Sequence, residues 1–339
     1  MRIYKSYEYI RQMAKNTEPL LRYKYNQDFS QWKEKAKNKL NELLGLPFEK
    51  CEDMFSVLSE SDCGDYKRID FEFQSEKDYF VTASLLVPAN HSMPLPCTIC
   101  LQGHSTGMHI SLGEVKFEDD ESLIARGHDF AVRTVKEGFC AIAMEQRYMG
   151  KAGQSEKGKP ACLSYDHSMP ALLMARCAIG ERVWDVQRLI DVIYKYFSEY
   201  IDTDNLICMG NSGGGTAAFY ASCLDERISF SIPSCAVCTY EKSIMAMYHC
   251  PCNYVPGIRK YFDMGDIGAL MAPRKLIVVC GKEDEIFPLS GVKESYELIK
   301  NVYKMLGRED ICTLIEGNGG HRFYPDDVWP VVHKYLKGN

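Results

Sequence analysis

A serine set among glycines is the residue in this chain best placed to do chemistry. Gly210-Asn211-Ser212-Gly213-Gly214-Gly215 follows the apolar run Asn205–Met209 and precedes the helix-forming Thr216-Ala217-Ala218-Phe219-Tyr220. A strand that turns sharply into a helix needs small residues at the turn, and the serine hydroxyl is then pushed out beyond the sheet as a nucleophile. The helix N-terminus beside it favours developing negative charge. A phosphate loop is the other reading of such glycines, but the lysine that would follow them is missing.

A serine nucleophile needs a base, and the base needs an acid to orient it. After a serine elbow the acid and then the histidine follow in chain order. The apolar run 275–280 leads into Gly281-Lys282-Glu283-Asp284-Glu285-Ile286-Phe287-Pro288, where Asp284 fits a G-x-x-D loop ending at proline. Glu283 and Glu285 compete for the role and read as solvated loop charges. The last apolar run ends in Gly317-Asn318-Gly319-Gly320-His321, whose glycines let the loop bring the His321 imidazole over the serine. His333 falls in the final helix and reads as a surface residue. The remaining need is an oxyanion hole. Gln102-Gly103-His104 follows the apolar run 97–101, so the main-chain N–H groups of His104 and Gly213 are the expected donors, each worth about 3–4 kcal/mol in the transition state.

These groups need a scaffold. Short apolar runs at 97–101, 139–144, 206–209, 228–232, 276–280 and 312–315 alternate with helical patterns at 130–136, 183–196, 213–223, 292–306 and 328–336. Continuous apolar strands separated by helices predict an α/β fold, a mostly parallel central sheet covered on both faces. Before them, 66–74 alternates apolar with polar residues and 79–87 is β-branched and apolar, a pair expected as antiparallel edge strands with one solvated face. Trp32, Ala36, Leu40, Leu43 and Leu44 recur at helical spacing up to Gly45-Leu46-Pro47. The expected organisation is an N-terminal helical extension over 1–60 and a catalytic domain over 61–339. The polar, glycine-rich 150–159 reads as a loop near the site.

With these residues placed, the chain resembles the α/β-hydrolase superfamily, and within it the acetyl xylan esterase and dienelactone-hydrolase-like branch, over roughly 66–336. The likeness also rests on Gly180-Glu181-Arg182-Val183-Trp184-Asp185-Val186 and on Met271-Ala272-Pro273-Arg274. It implies hydrolysis of small acyl esters, often acetyl groups on sugars. Two departures weaken the sugar-acetyl implication. Gln146-Arg147-Tyr148 stands where that branch has Arg-Gly-Gln, and Arg322 stands where it has glutamate after the histidine. The resemblance leaves two alternatives: a peptidase of the same fold, and a non-catalytic ligand-binding member.

Composition narrows the partners. The net charge of −6 over 339 residues, without a basic run, argues against a nucleic-acid footprint or an anionic-membrane anchor. No apolar stretch reaches the roughly 18–20 residues that span a bilayer, and no signal peptide is visible. The expected setting is cytoplasmic, with a small-molecule ester as partner and the oligomeric state open. Fifteen cysteines, several in strand-like runs, suit buried free thiols in a reducing compartment. Cys235, Cys238, His249, Cys250 and Cys252 hold enough soft ligands for a metal but match no familiar zinc spacing, so they read as pocket-lining thiols. A serine triad needs no metal and no cofactor, and none is expected. Met108, His109, Tyr148, Met149 and His167 are further candidates to line a pocket. Two pairs on one helix, Asp185 with Arg188 and Glu181 with Arg182, read as ion pairs.

Overall fold

A computed structural model describes residues 3–89, 91–153 and 164–337. Nine strands form one sheet: β1 (Phe55–Asp62), β2 (Tyr66–Glu76), β3 (Tyr79–Pro88), β4 (Leu95–Leu101), β5 (Cys140–Met144), β6 (Ile201–Asn211), β7 (Ile228–Ser234), β8 (Lys275–Gly281) and β9 (Cys312–Gly317). Their order is β1-β2-β3-β5-β4-β6-β7-β8-β9. The pairs β1–β2, β2–β3 and β3–β5 are antiparallel. From β5 to β9 every pair is parallel. β5 and the carboxyl-half of β6 are buried on both faces, as their unbroken apolar runs require. This is the α/β-hydrolase fold, with its switch point between β4 and β6.

The edge strand β1 has no counterpart among the expected strands. It is exposed over nearly its whole length, and its register shifts between Val57 and Ser59. A strand with no buried face and a bulge carries no period-two signal. β1 also crosses the expected boundary at residue 60, and we propose that the catalytic domain is better drawn from before Phe55.

The helix Phe29–Leu44 starts where the Asp28 carboxylate accepts the Gln31 N–H at 2.8 Å and stops at Gly45, whose φ is 73°. It buries Trp32, Ala36, Leu40 and Leu44 in the same core as the sheet. No helix among the described residues is long and apolar enough to cross a membrane.

The stretch after β5 is anchored by charge. Arg147 is buried, with its Nε and Nη2 donating to Asp185 at 2.8 and 2.9 Å and Nη2 also donating to Glu76 at 2.5 Å. Burial alone would favour a neutral guanidine, but Asp185 and Glu181 outweigh it and hold the arginine charged. Asp185 therefore pairs across the core and not with Arg188, which bonds Asp53 and Asp191 at 2.6 Å. Arg147→Met would leave the buried Asp185 carboxylate without its cation, with the Ser75 hydroxyl still donating to it, while Glu76 and Glu181 keep Arg176. It is expected to lower unfolding free energy by roughly 3–5 kcal/mol, with Arg147→Met/Asp185→Leu recovering part of the loss. Urea denaturation measures both, and a single-variant loss under about 1 kcal/mol would remove the network from the fold's stability.

Candidate active site

The expected residues come from four loops at the carboxyl ends of the parallel strands, where open α/β sheets bind ligands. Ser212 sits between β6 and the helix Gly213–Leu224 with φ 55° and ψ −122°. A left-handed conformation at a non-glycine residue costs about 1–3 kcal/mol and persists only where the surroundings enforce it. Here its N–H donates to the Ser234 carbonyl at 2.9 Å, so the end of β7 holds the turn. Gly214 is required by close approach: a Cβ there would lie 2.1 Å from the Leu101 carbonyl oxygen.

Asp284, in the loop after β8, is 4% exposed, whereas Glu283 and Glu285 are exposed. Its Oδ2 lies 2.8 Å from His321 Nδ1, and its Oδ1 accepts the N–H groups of Ile286 and Phe287 at 2.8 and 3.0 Å. Burial pushes this carboxyl toward neutrality. The His321 contact and the two amides outweigh that and hold it below the usual carboxylate range. The loop carrying His321 is tied to the acid loop by the Glu283 N–H on the Gly319 carbonyl at 2.9 Å. Phe287 stacks parallel to the imidazole at 5.9 Å. His321 Nε2 is buried and makes no hydrogen bond to a described residue. No hydrogen bond joins it to Ser212 in this structure. Such contacts are often long without substrate.

The loop after β4 lies against the serine. A Cβ on Gly103 would fall 3.3 Å from Ser212 Cβ, and the His104 ring packs over Gly213. The N–H groups of His104 and Gly213 donate to no described residue, and Gly213 opens a helix whose first donors have no internal partner. Gln102 braces the loop through Nε2, which donates to Ser111 Oγ at 2.6 Å and to the His128 carbonyl at 2.8 Å. The Gln146 amide donates to the Gln102 carbonyl.

Several neighbours were not legible in the sequence. Arg182 does not pair with Glu181. It donates from Nη1 to the Gly213 carbonyl at 3.1 Å and stacks over Tyr148 at 4.4 Å. Glu181 instead meets His167 and Arg176. Of the residues expected to line a pocket, Met108 and His109 border a cavity of about 580 Å3, which also includes Thr106 and Glu145 but not Ser212, Asp284 or His321. Tyr148 and Met149 are packed with Ala178 and Cys252. The polar stretch expected as a loop at 150–159 begins with a short helical turn at Gly150–Ala152, and its remainder from 154 lies outside the described residues.

The five soft ligands expected as one group are split. Cys235 lies beside Asp284 and His321. Cys238 Sγ is 3.7 Å from the Pro288 carbonyl. Cys250 and Cys252 converge on His104, while His249 bonds Asn253 at 3.1 Å. Between the two thiols a hydrogen bond from Cys252 outweighs burial and, with help from His104, brings Cys250 down to about 3. Burial drives Cys252 the other way.

A serine on a strained strand–helix elbow, with an Asp–His pair on neighbouring loops, is the arrangement of an α/β-hydrolase. A family model described as the Abhydrolase family matches residues 1–312, and the chain belongs to that family. It is similar to YtaP of Bacillus subtilis (strain 168), described as a candidate hydrolase, with 23% identity over 229 residues, 67% of this chain and 73% of YtaP. Among solved structures, a candidate acetyl xylan esterase from Bacteroides fragilis NCTC 9343 superposes with a TM-score of 0.85 at 18% identity, covering 99% of this chain and 96% of that one. A glucuronoyl esterase from Solibacter usitatus superposes with a TM-score of 0.68 at 16% identity, covering 95% and 96%.

Proposed function

We propose that the chain is a serine carboxylesterase acting on small acyl esters, acetyl esters of carbohydrates first among them. The observation that carries this reading is the strained Ser212 elbow with Asp284 and His321 paired beyond it. Neutral His321 takes the Ser212 proton through Nε2 as Oγ attacks the ester carbonyl. The N–H groups of His104 and Gly213 receive the oxyanion. The imidazolium, steadied by Asp284, returns the proton to the leaving alcohol, and water then releases the acid from the acyl-enzyme by the same steps. The carbohydrate part rests on the described activities of the structural neighbours. Most of the described cysteines are buried and pack as small apolar side chains, which fits the reducing, cytoplasmic setting proposed for the chain.

The test is a panel of acetyl, butyryl and octanoyl esters, acetylated xylo-oligosaccharides, methyl glucuronate and matched amides. Fastest turnover on acetyl esters supports the reading. Amides cleaved faster than esters would turn it toward a peptidase, and no turnover together with no fluorophosphonate label on Ser212 toward a binding protein.

The pH dependence follows from the Asp284–His321 pair. Because Asp284 is held ionised into acid, the acid loss of rate belongs to the imidazole, which cannot accept the serine proton once charged. kcat/KM should therefore rise with pH in one step of a single group and then level. A rate flat from about pH 5 to 9, with chemistry limiting, would count against a histidine base.

A further inference from the structure

His104 Nε2 lies 2.9 Å from Cys250 Sγ and 3.1 Å from Cys252 Sγ, and the two sulfurs are 3.1 Å apart. We propose that His104, Cys250 and Cys252 bind one zinc ion, which clamps the loop after β4 to the segment that follows β7.

The first support is convergence. Three soft donors from segments 146 residues apart point at one spot. The sulfurs stand too close for two thiols in ordinary contact and too far for a disulfide, which needs about 2.05 Å. Outward movement of about half an ångström brings them to the separations of a tetrahedral site with zinc–sulfur bonds of about 2.3 Å. A second support is the surroundings. Tyr148 is 3% exposed and packs against Cys252, and its hydroxyl makes no hydrogen bond of ordinary geometry to another described residue. Ser164 Oγ lies 2.7 Å from Cys250 Sγ on the other flank. Either hydroxyl can meet a fourth ligand or supply it. Charge gives a third. A dication with two thiolates and a neutral imidazole sums to zero, so burying it avoids the cost of an isolated buried charge. The donor set is soft, which suits zinc and argues against magnesium or calcium.

As each zinc–sulfur bond forms, any proton its thiol still carries passes to solvent, and the pair ends as a dithiolate. Nothing is oxidised. The ion sits at the His104 side chain and takes no part in ester cleavage, so the site stands or falls apart from the esterase reading.

The full-length chain, expressed with added Zn(II) and dialysed, is expected to hold about one zinc per chain by elemental analysis. Cys250→Ser/Cys252→Ser and His104→Ala should lose it, and Cys238→Ser should keep it. Exchange with Co(II) in the wild-type chain should give a thiolate-to-cobalt charge-transfer band, a readout that needs no variant to fold. Native thiol titration should find two fewer reactive cysteines with metal than after chelation. Wild-type chain that takes up neither zinc nor cobalt overturns the site. So does zinc retained by the folded double cysteine variant, or a mass lower by two hydrogens that marks a Cys250–Cys252 disulfide in the chain as isolated.

Discussion

Ser212→Ala is expected to fold as the wild type does and to lose ester hydrolysis by about four to six orders of magnitude in kcat. The nucleophile is the one group for which no neighbour can stand in. The Asp284–His321 pair has nothing to activate without it, and what survives is the catalysis of the oxyanion donors acting on water. Folding should be spared because alanine keeps a Cβ, so the left-handed turn at φ 55° carries the same strain. Ser212→Gly would relieve that strain and be equally inactive, so it is expected to be the more stable of the two. Initial rates on an acetyl ester, with denaturant curves for all three proteins, test both points. Activity within about tenfold of wild type, roughly 1.4 kcal/mol of barrier, would refute the assignment.

Asp284→Asn should cost kcat about 10⁴-fold, the scale of the same change in a serine protease. The carboxylate fixes the imidazole tautomer by accepting from Nδ1 and stabilises the cation formed when Nε2 takes the serine proton. An amide can present its N–H to Nδ1 and invert the tautomer. Glu283→Gln and Glu285→Gln should stay near wild type, because both side chains are exposed and act through water. A crippled glutamate variant beside an active Asp284→Asn would move the acid by one residue. Stability gives an independent check. Since the folded Asp284 carboxyl lies below its unfolded range near 3.9, its contribution is present above that range and is lost as pH falls through the folded value. Asp284→Asn should remove that part of the acid dependence.

The fold class was legible because a parallel sheet buries both faces of its strands. Runs such as 139–144 and 276–280 can be little else when helical periodicity lies between them. The elbow was legible because its glycines answer a local steric demand, as Gly214 under the Leu101 carbonyl does. Spacing within a helix was a poorer guide. Asp185 and Arg188 are three residues apart, yet Asp185 turns inward to Arg147 and Arg188 to Asp53 and Asp191. Glu181 and Arg182 are adjacent, and adjacent residues on a helix do not face each other.

By itself the sequence determined what local sterics and periodicity dictate, the α/β sheet and the serine turn, whereas the choice of Asp284 and His321 leaned on the order in which hydrolases of this fold carry their triad. Only the tertiary structure decided which side chains meet. It chose Asp284 over two neighbouring glutamates as the partner of His321 by burying one carboxylate and leaving two in water. It set Arg182 under the elbow and parted Cys235 and Cys238 from Cys250 and Cys252. It brought to those two thiols a histidine from the far side of the chain, His104, because β4 and β7 both flank β6 and their loops open at the same sheet edge.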